Sequence, residues 1–306
     1  MALVRDVTTG SEKNTRTVIA PWLVAAGLLQ AAVTATGVEP AQIERGRYLI
    51  YAGGCITCHT ADAEDAVPLA GGRPLETPFG TFYTPNITPD RATGIGDWSD
   101  EDFLQAFWEG VSPSGEHYFP AFPYPAYTGA SRQDLLAMKA YLFDLEPVSM
   151  PLREHQLAWY MSTRLAAGAW KLRYFSPGRF VADDSRSERW NRGAYLVRHL
   201  GHCGECHTPR GSTGALVAER ELAGGSGGEE DEAIPNITPH DADGIGKWSA
   251  SDIEYFLDLG MLPDGDFAGS SMSSVIDDNT SKLTRDDRLA IAEYLRSLTA
   301  LGDEHE

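Results

Sequence analysis

Cysteine is scarce in this chain, and its placement decides most of what can be read from it. There are four cysteines in 306 residues. All of them lie in two short motifs, Cys55-Ile56-Thr57-Cys58-His59 and Cys203-Gly204-Glu205-Cys206-His207. Nothing is left over for a disulfide framework or a free thiol. Positive charge is also short, at 25 Lys and Arg against 44 Asp and Glu for a formal net charge of −19. That balance argues against nucleic acid as a partner, because phosphates would be repelled. Alternating strand patterns are few. An apolar content of 42% nevertheless excludes a disordered carrier, and 306 residues suffice for two ordinary domains.

Charge is absent altogether from Thr17 to Val38, where Val18-Ile19-Ala20-Pro21-Trp22-Leu23 opens a strongly apolar run. It ends in Val33-Thr34-Ala35, small residues suited to signal-peptidase cleavage, so residues 1–35 are read as an export signal. The competing reading is an uncleaved membrane anchor, which Pro21, Gln30, Thr34 and Thr36 weaken.

Each cysteine motif has the Cys-x-x-Cys-His spacing of covalent c-type haem attachment. Two thioethers and one proximal imidazole must meet a single rigid macrocycle, which fixes the spacing. A zinc site or a redox dithiol pair would also use Cys-x-x-Cys, but neither needs a histidine directly after the second cysteine. Two covalently bound c-type haems are therefore expected, on Cys55, Cys58, Cys203 and Cys206, with His59 and His207 as proximal iron ligands. Haem is attached to this motif outside the cytoplasmic membrane in bacteria, so the export signal places the chain in the periplasm, soluble or associated with the outer face of the inner membrane.

The motifs belong to a longer repeat. Gly46-Arg47-Tyr48-Leu49 returns as Gly193-Ala194-Tyr195-Leu196, and Pro85-Asn86-Ile87-Thr88-Pro89 as Pro235-Asn236-Ile237-Thr238-Pro239. Gly94-Ile95-Gly96-Asp97-Trp98-Ser99 returns as Gly244-Ile245-Gly246-Lys247-Trp248-Ser249. The offset grows from 147 (193 − 46) to 153 (294 − 141, from Tyr141 to Tyr294) along the chain. The spacing predicts helices over 41–51, from Ser99 onward and over 131–145, with long Gly/Pro-rich loops between them. The expected fold is all-α: one unit over 36–150, a connector over 151–185 and a second unit over 186–306. The connector is aromatic and basic. From Arg153 to Arg198 nine cations face four acids, so this stretch carries +5 and the remainder −24. It reads either as a strap packing its aromatics across both units or as a docking surface.

From about Pro40 to Leu301 the chain resembles the multi-haem cytochrome c subunits of bacterial membrane-bound dehydrogenases for alcohols, gluconate and sugars. The resemblance rests on the Cys-x-x-Cys-His motifs, on Pro85 to Pro89, Gly94 to Trp98, Ala169-Trp170-Lys171-Leu172, and Asn279-Thr280-Ser281-Lys282-Leu283-Thr284. Those subunits usually carry three haems, whereas two motifs stand here, so the resemblance is to a dihaem relative. It implies two tandem class I cytochrome c domains. It also implies a distal methionine in the loop before each last helix. In the second unit that residue is Met272. The offset of 150 maps it back onto Phe122 (272 − 150), which cannot ligate iron. Either His117 in the same loop reaches the first iron or that site is five-coordinate. Bis-histidine ligation would make the first haem the low-potential side, because a thioether favours ferrous iron. Trp98 and Trp248 are candidates to donate to haem propionates or to pack in the core. Asn86 and Asn236 are candidates to order the loop below each haem, and Arg73 to neutralise a propionate.

The function this implies is electron relay from a periplasmic or membrane-bound dehydrogenase to a cytochrome, quinone or terminal oxidase. The alternatives are a dihaem oxidoreductase, peroxidase-like or thiosulfate-dehydrogenase-like, or a ligand sensor acting at an open first haem.

Overall fold

The frame is two helix pairs, each crossing at a glycine. In the computed structural model, which describes residues 38–161, 163–226 and 233–302, α1 (Pro40–Ala52) begins with Pro40 in its first turn. It is followed by α2 (Cys55–His59), β1 (Pro74–Thr77), β2 (Gly80–Tyr83), α3 (Asp100–Glu109), α4 (Tyr124–Tyr127) and α5 (Arg132–Asp144). The connector contributes β3 (Gln156–Leu157) and α6 (Arg164–Tyr174). The second half repeats the order with α7 (Glu188–Tyr195), α8 (Gly204–His207), β4 (Gly225–Ser226), β5 (Ala233–Ile234), α9 (Ala250–Leu259), α10 (Ser270–Asp278) and α11 (Arg285–Arg296). The export signal expected over residues 1–35 lies outside the described residues.

Local chemistry explains the helix ends. Ser99 and Asp102 form a capping box on α3, and Ser249 and Asp252 form its copy on α9. α1 crosses α5 so closely that a Cβ on Gly46 would sit 1.9 Å from the Ala137 carbonyl oxygen. At the equivalent crossing of α7 and α11, a Cβ on Gly193 would sit 2.0 Å from that of Ala290. Only glycine permits such contact between helix backbones.

Strands are few, as expected, but their presence revises the all-α expectation to a helix-rich fold with some sheet. β1 and β2 pair antiparallel from Pro74↔Tyr83 to Thr77↔Gly80, and β3 adds to the β2 edge. With β4 and β5 these make short ladders of two to four residues. Elements that short leave no periodicity to read, and tertiary contact holds them. Likewise the loop over 119–127 contains the single turn α4, and Met272 stands on α10 rather than in a loop.

The halves exchange partners. Tyr48 of the first half donates to Asp287 of the second at 2.6 Å, accepts from the Thr284 N–H, and Arg192 donates to the same carboxylate at 2.8 and 2.7 Å. Reciprocally, Tyr195 donates to Asp134 at 2.7 Å, accepts from the Ser131 N–H, and Arg45 donates to Asp134 at 2.9 Å. Residues from 38 onward form one compact unit. Its core is continuous, running from Leu49, Ile50, Leu135 and Leu142 to Leu196, Leu200, Ile291 and Leu295.

Candidate functional site: two facing attachment turns

α1 and α7 each deliver the chain into a cysteine turn. Gly46 to Cys55 spans nine positions (55 − 46) and Gly193 to Cys203 spans ten (203 − 193). The extra residue is taken up by a π-helical turn over Leu196–Leu200, the usual way a helix houses an insertion near a functional site.

The two histidines are held identically. His59 Nδ1 donates to the Pro85 carbonyl at 2.8 Å, and His207 Nδ1 to the Pro235 carbonyl at 2.7 Å. This bond fixes the tautomer and leaves Nε2 as a lone-pair donor, the arrangement found behind metal-ligating histidines. Burial depresses the pKa of both imidazoles, against the opposing effect of the carbonyl bond, so both remain neutral as ligation requires. Asn86 and Asn236 build the loops that present those carbonyls. Each accepts from the N–H and hydroxyl of the threonine two residues on, Thr88 and Thr238. Their amides then donate to the Val148 carbonyl at 2.6 Å and the Leu301 carbonyl at 2.5 Å.

The cysteines are neither a metal centre nor a reactive dithiol. Among the described residues no three His, Cys, Asp or Glu side chains converge to hold a metal ion. Burial pushes the thiols of Cys55 and Cys203 up to about 12, with the neighbouring cysteines adding to it. Thiol oxidoreductases need the reverse, a depressed thiol. A haem fits what is present. Two buried hydroxyls, Tyr124 Oη and Thr280 Oγ1, have no hydrogen-bond partner among the described residues. Leaving such a group unpaired costs about 1–3 kcal/mol, and the polar edge of a macrocycle would supply the missing partner.

The remaining expected residues fall into place unevenly. Arg73 lies against the first turn, donating to the Thr57 carbonyl at 3.1 Å and standing 3.2 Å from Asp62. Trp98 and Trp248 pack partly buried on the core. Phe122 sits in a shell of Phe107, Tyr118, Tyr124 and Tyr127. His117 turns to α6, where a Cβ on Gly168 would lie 2.8 Å from its ring, and Lys171 donates to its Nδ1 at 3.4 Å. α10, which bears Met272, packs on α9 and also on α2 of the first turn.

Several functional positions escape sequence reasoning. Tyr127 donates to the Gly53 carbonyl at 2.5 Å, and His202 Nε2 lies 3.3 Å from the same oxygen. The signal available was the repeat itself, since His202 stands where the first half has Gly54. In the connector, Trp170 does strap, donating to the Thr213 carbonyl, and Phe175 packs on Tyr124. Trp159 is 85% exposed and meets Tyr160 edge-on.

Comparison with known proteins agrees with this geometry. The cytochrome c family model matches residues 43–146. A dihaem c-type cytochrome of Cereibacter sphaeroides is 44% identical over 263 residues, covering 85% of this chain and 87% of that protein. The gluconate 2-dehydrogenase cytochrome c subunit of Pantoea cypripedii is 38% identical over 91% of this chain and 64% of its own length. For the fructose dehydrogenase cytochrome subunit of Gluconobacter japonicus the identity is 38%, over 85% of this chain and 53% of its own length. The chain thus spans only part of those dehydrogenase subunits. Its residues fit covalent haem at both turns, its relatives are cytochromes, and the chain belongs to the dihaem c-type cytochromes, with two covalently bound c-type haems.

Proposed function

We propose that this chain is a periplasmic relay of two tandem class I cytochrome c units, passing single electrons from a partner dehydrogenase to a respiratory acceptor. The observation that carries the reading is the repeated imidazole, His59 on Pro85 and His207 on Pro235, on two turns that meet at Gly53 and His202. His59 and His207 would hold the irons and Met272 would complete the second. A bound haem supplies reversible one-electron chemistry, and the residues around it set its potential through ligand, hydrogen bond and burial.

The donor is read as a dehydrogenase of the kind the relatives are named for, acting on gluconate, fructose or an alcohol. It would dock at the connector. Of the sixteen exposed large apolar side chains among the described residues, eight lie between Met150 and Val181, among them Leu165 and Leu172 on the outer face of α6. Exposed apolar side chains set among arginines have the composition of an interface rather than of ordinary surface.

A second reading, ligand binding at the first haem, is favoured by the aromatic shell around Phe122 and by His117 facing α6. Spectropotentiometric titration of the holoprotein with and without carbon monoxide separates the two. For the relay, two reversible one-electron steps untouched by carbon monoxide are expected, which requires an internal sixth ligand at the first iron as well as Met272 at the second. Rapid binding at one haem would overturn the pure relay.

A further inference from the structure

The repeat breaks at one place where the halves touch. Gly54 and His202 precede the first cysteine of their turns, and both adopt left-handed backbone, with φ of 66° and 38°. Glycine does this freely. A histidine does so only when its surroundings over-determine it, and such strain gathers at functional positions. Here the constraint is visible. The His202 ring reaches across to the first turn, its Nε2 3.3 Å from the Gly53 carbonyl oxygen. Tyr127 donates to that same oxygen at 2.5 Å and meets the imidazole edge-on, ring centroids 5.4 Å apart at 84°. A Cβ added to Gly54 would come within 3.6 Å of His202 Nε2 and 3.2 Å of the Asn279 amide. A Cβ there would be tight against Asn279 and in ordinary contact with His202, so of the two equivalent positions His202 alone sends a ring across the junction.

Because the acceptor is a carbonyl, Nε2 carries the proton and donates. The result is one short connection between the turns: Cys55, Gly54, the Gly53 carbonyl, the His202 imidazole and Cys203.

We propose that His202 is the positioning residue of electron exchange between the two haems, locking the attachment turns in contact and providing the hydrogen-bonded route between them. The inference rests on the relay reading above. One electron leaves one site, which is oxidised, and enters the other, which is reduced. No bond is made or broken, and His202 keeps its proton throughout.

The test uses the full-length holoprotein and two variants. His202→Gly suits the left-handed backbone and deletes the connection. His202→Asn also tolerates that backbone and restores a short amide donor. Exchange between the haems is followed by absorbance after fast photoreduction, alongside the melting temperature and both reduction potentials. The expected result is that both variants carry two haems and keep their absorption spectra. In His202→Gly exchange slows by an order of magnitude while reduction by a small external reductant is unchanged, and His202→Asn recovers part of the loss. Unchanged exchange in His202→Gly overturns the proposal, as does a slowing equal in both variants that tracks melting temperature. A wild-type protein whose haems never exchange electrons would sink the relay reading itself, a failure distinct from exchange that persists without His202.

Discussion

Removing Asp287 should loosen the join between the halves more than any comparable surface change. Its carboxylate receives two bonds from Arg192 of its own half and one from Tyr48 across the join, so it ties the first half to an ion pair of the second. Its side chain is 12% exposed and that of Arg192 31%. Deleting one partner of a buried ion pair costs about 3–5 kcal/mol. Partial solvation of Arg192 puts Asp287→Ala at the low end, about 3 kcal/mol, or roughly 6 °C in melting temperature for a unit of this size. Tyr48→Phe, which strands the Thr284 N–H and removes one bond to the carboxylate, should cost about 1 kcal/mol. The double variant should show a coupling of about 0.5–3 kcal/mol. The pH dependence has a definite sign. Burial alone would raise the Asp287 pKa, but the Arg192 and Tyr48 hydrogen bonds outweigh it and hold the carboxyl below the usual carboxylate range. Its contribution is therefore complete above the unfolded value of about 4 and is lost as pH falls through the lower folded value. Asp287→Ala should flatten that acid limb. Thermal unfolding followed by circular dichroism at several pH values measures all of this. A loss below about 0.5 kcal/mol, the range of ordinary surface substitutions, or strict additivity with Tyr48→Phe, would refute the join as described.

Three further outcomes follow from other parts of the molecule. Asn86→Ala strands the Thr88 N–H and leaves the Val148 carbonyl only the longer bond from the Thr88 hydroxyl; we expect a loss of about 1–3 kcal/mol and a shifted potential at the first haem, read by denaturation and redox titration. Gly193→Ala drives a methyl into the Ala290 carbonyl and should destabilise by at least the roughly 1–3 kcal/mol typical of overpacking, whereas the same change at exposed Gly178, with open space around it, should not. Met272→Ala should abolish the methionine–iron absorption band while both haems stay attached, and retention of that band would remove Met272 from the second iron.

The haem turns were legible in the sequence because their chemistry is local. Cys-x-x-Cys-His is a spacing constraint within five residues, and the asparagines, capping serines and crossing glycines recur in a repeat that needs no coordinates to find. The vulnerable expectations concerned residues whose role depends on distant neighbours. His117 is a candidate because it lies close to Phe122 in the chain, and only the structure shows that α6, a helix from the connector, lies against its ring through Gly168 and Lys171. The short strands were hidden because two to four residues carry no measurable period.

The sequence alone determined where two haems are expected, on four cysteines with a histidine after each pair, that the chain is built twice over, and that the second copy has a methionine where the first has Phe122. Those are matters of residue type and interval. Only the tertiary structure decided how the copies meet: Tyr48 and Tyr195 each cross to the other half's aspartate, one core runs through both, and His202 reaches the Gly53 carbonyl of the other turn. Such contacts join residues 61 to 239 positions apart. No local pattern encodes them, because burial of shared apolar surface and pairing of buried polar groups select them only once the chain has folded.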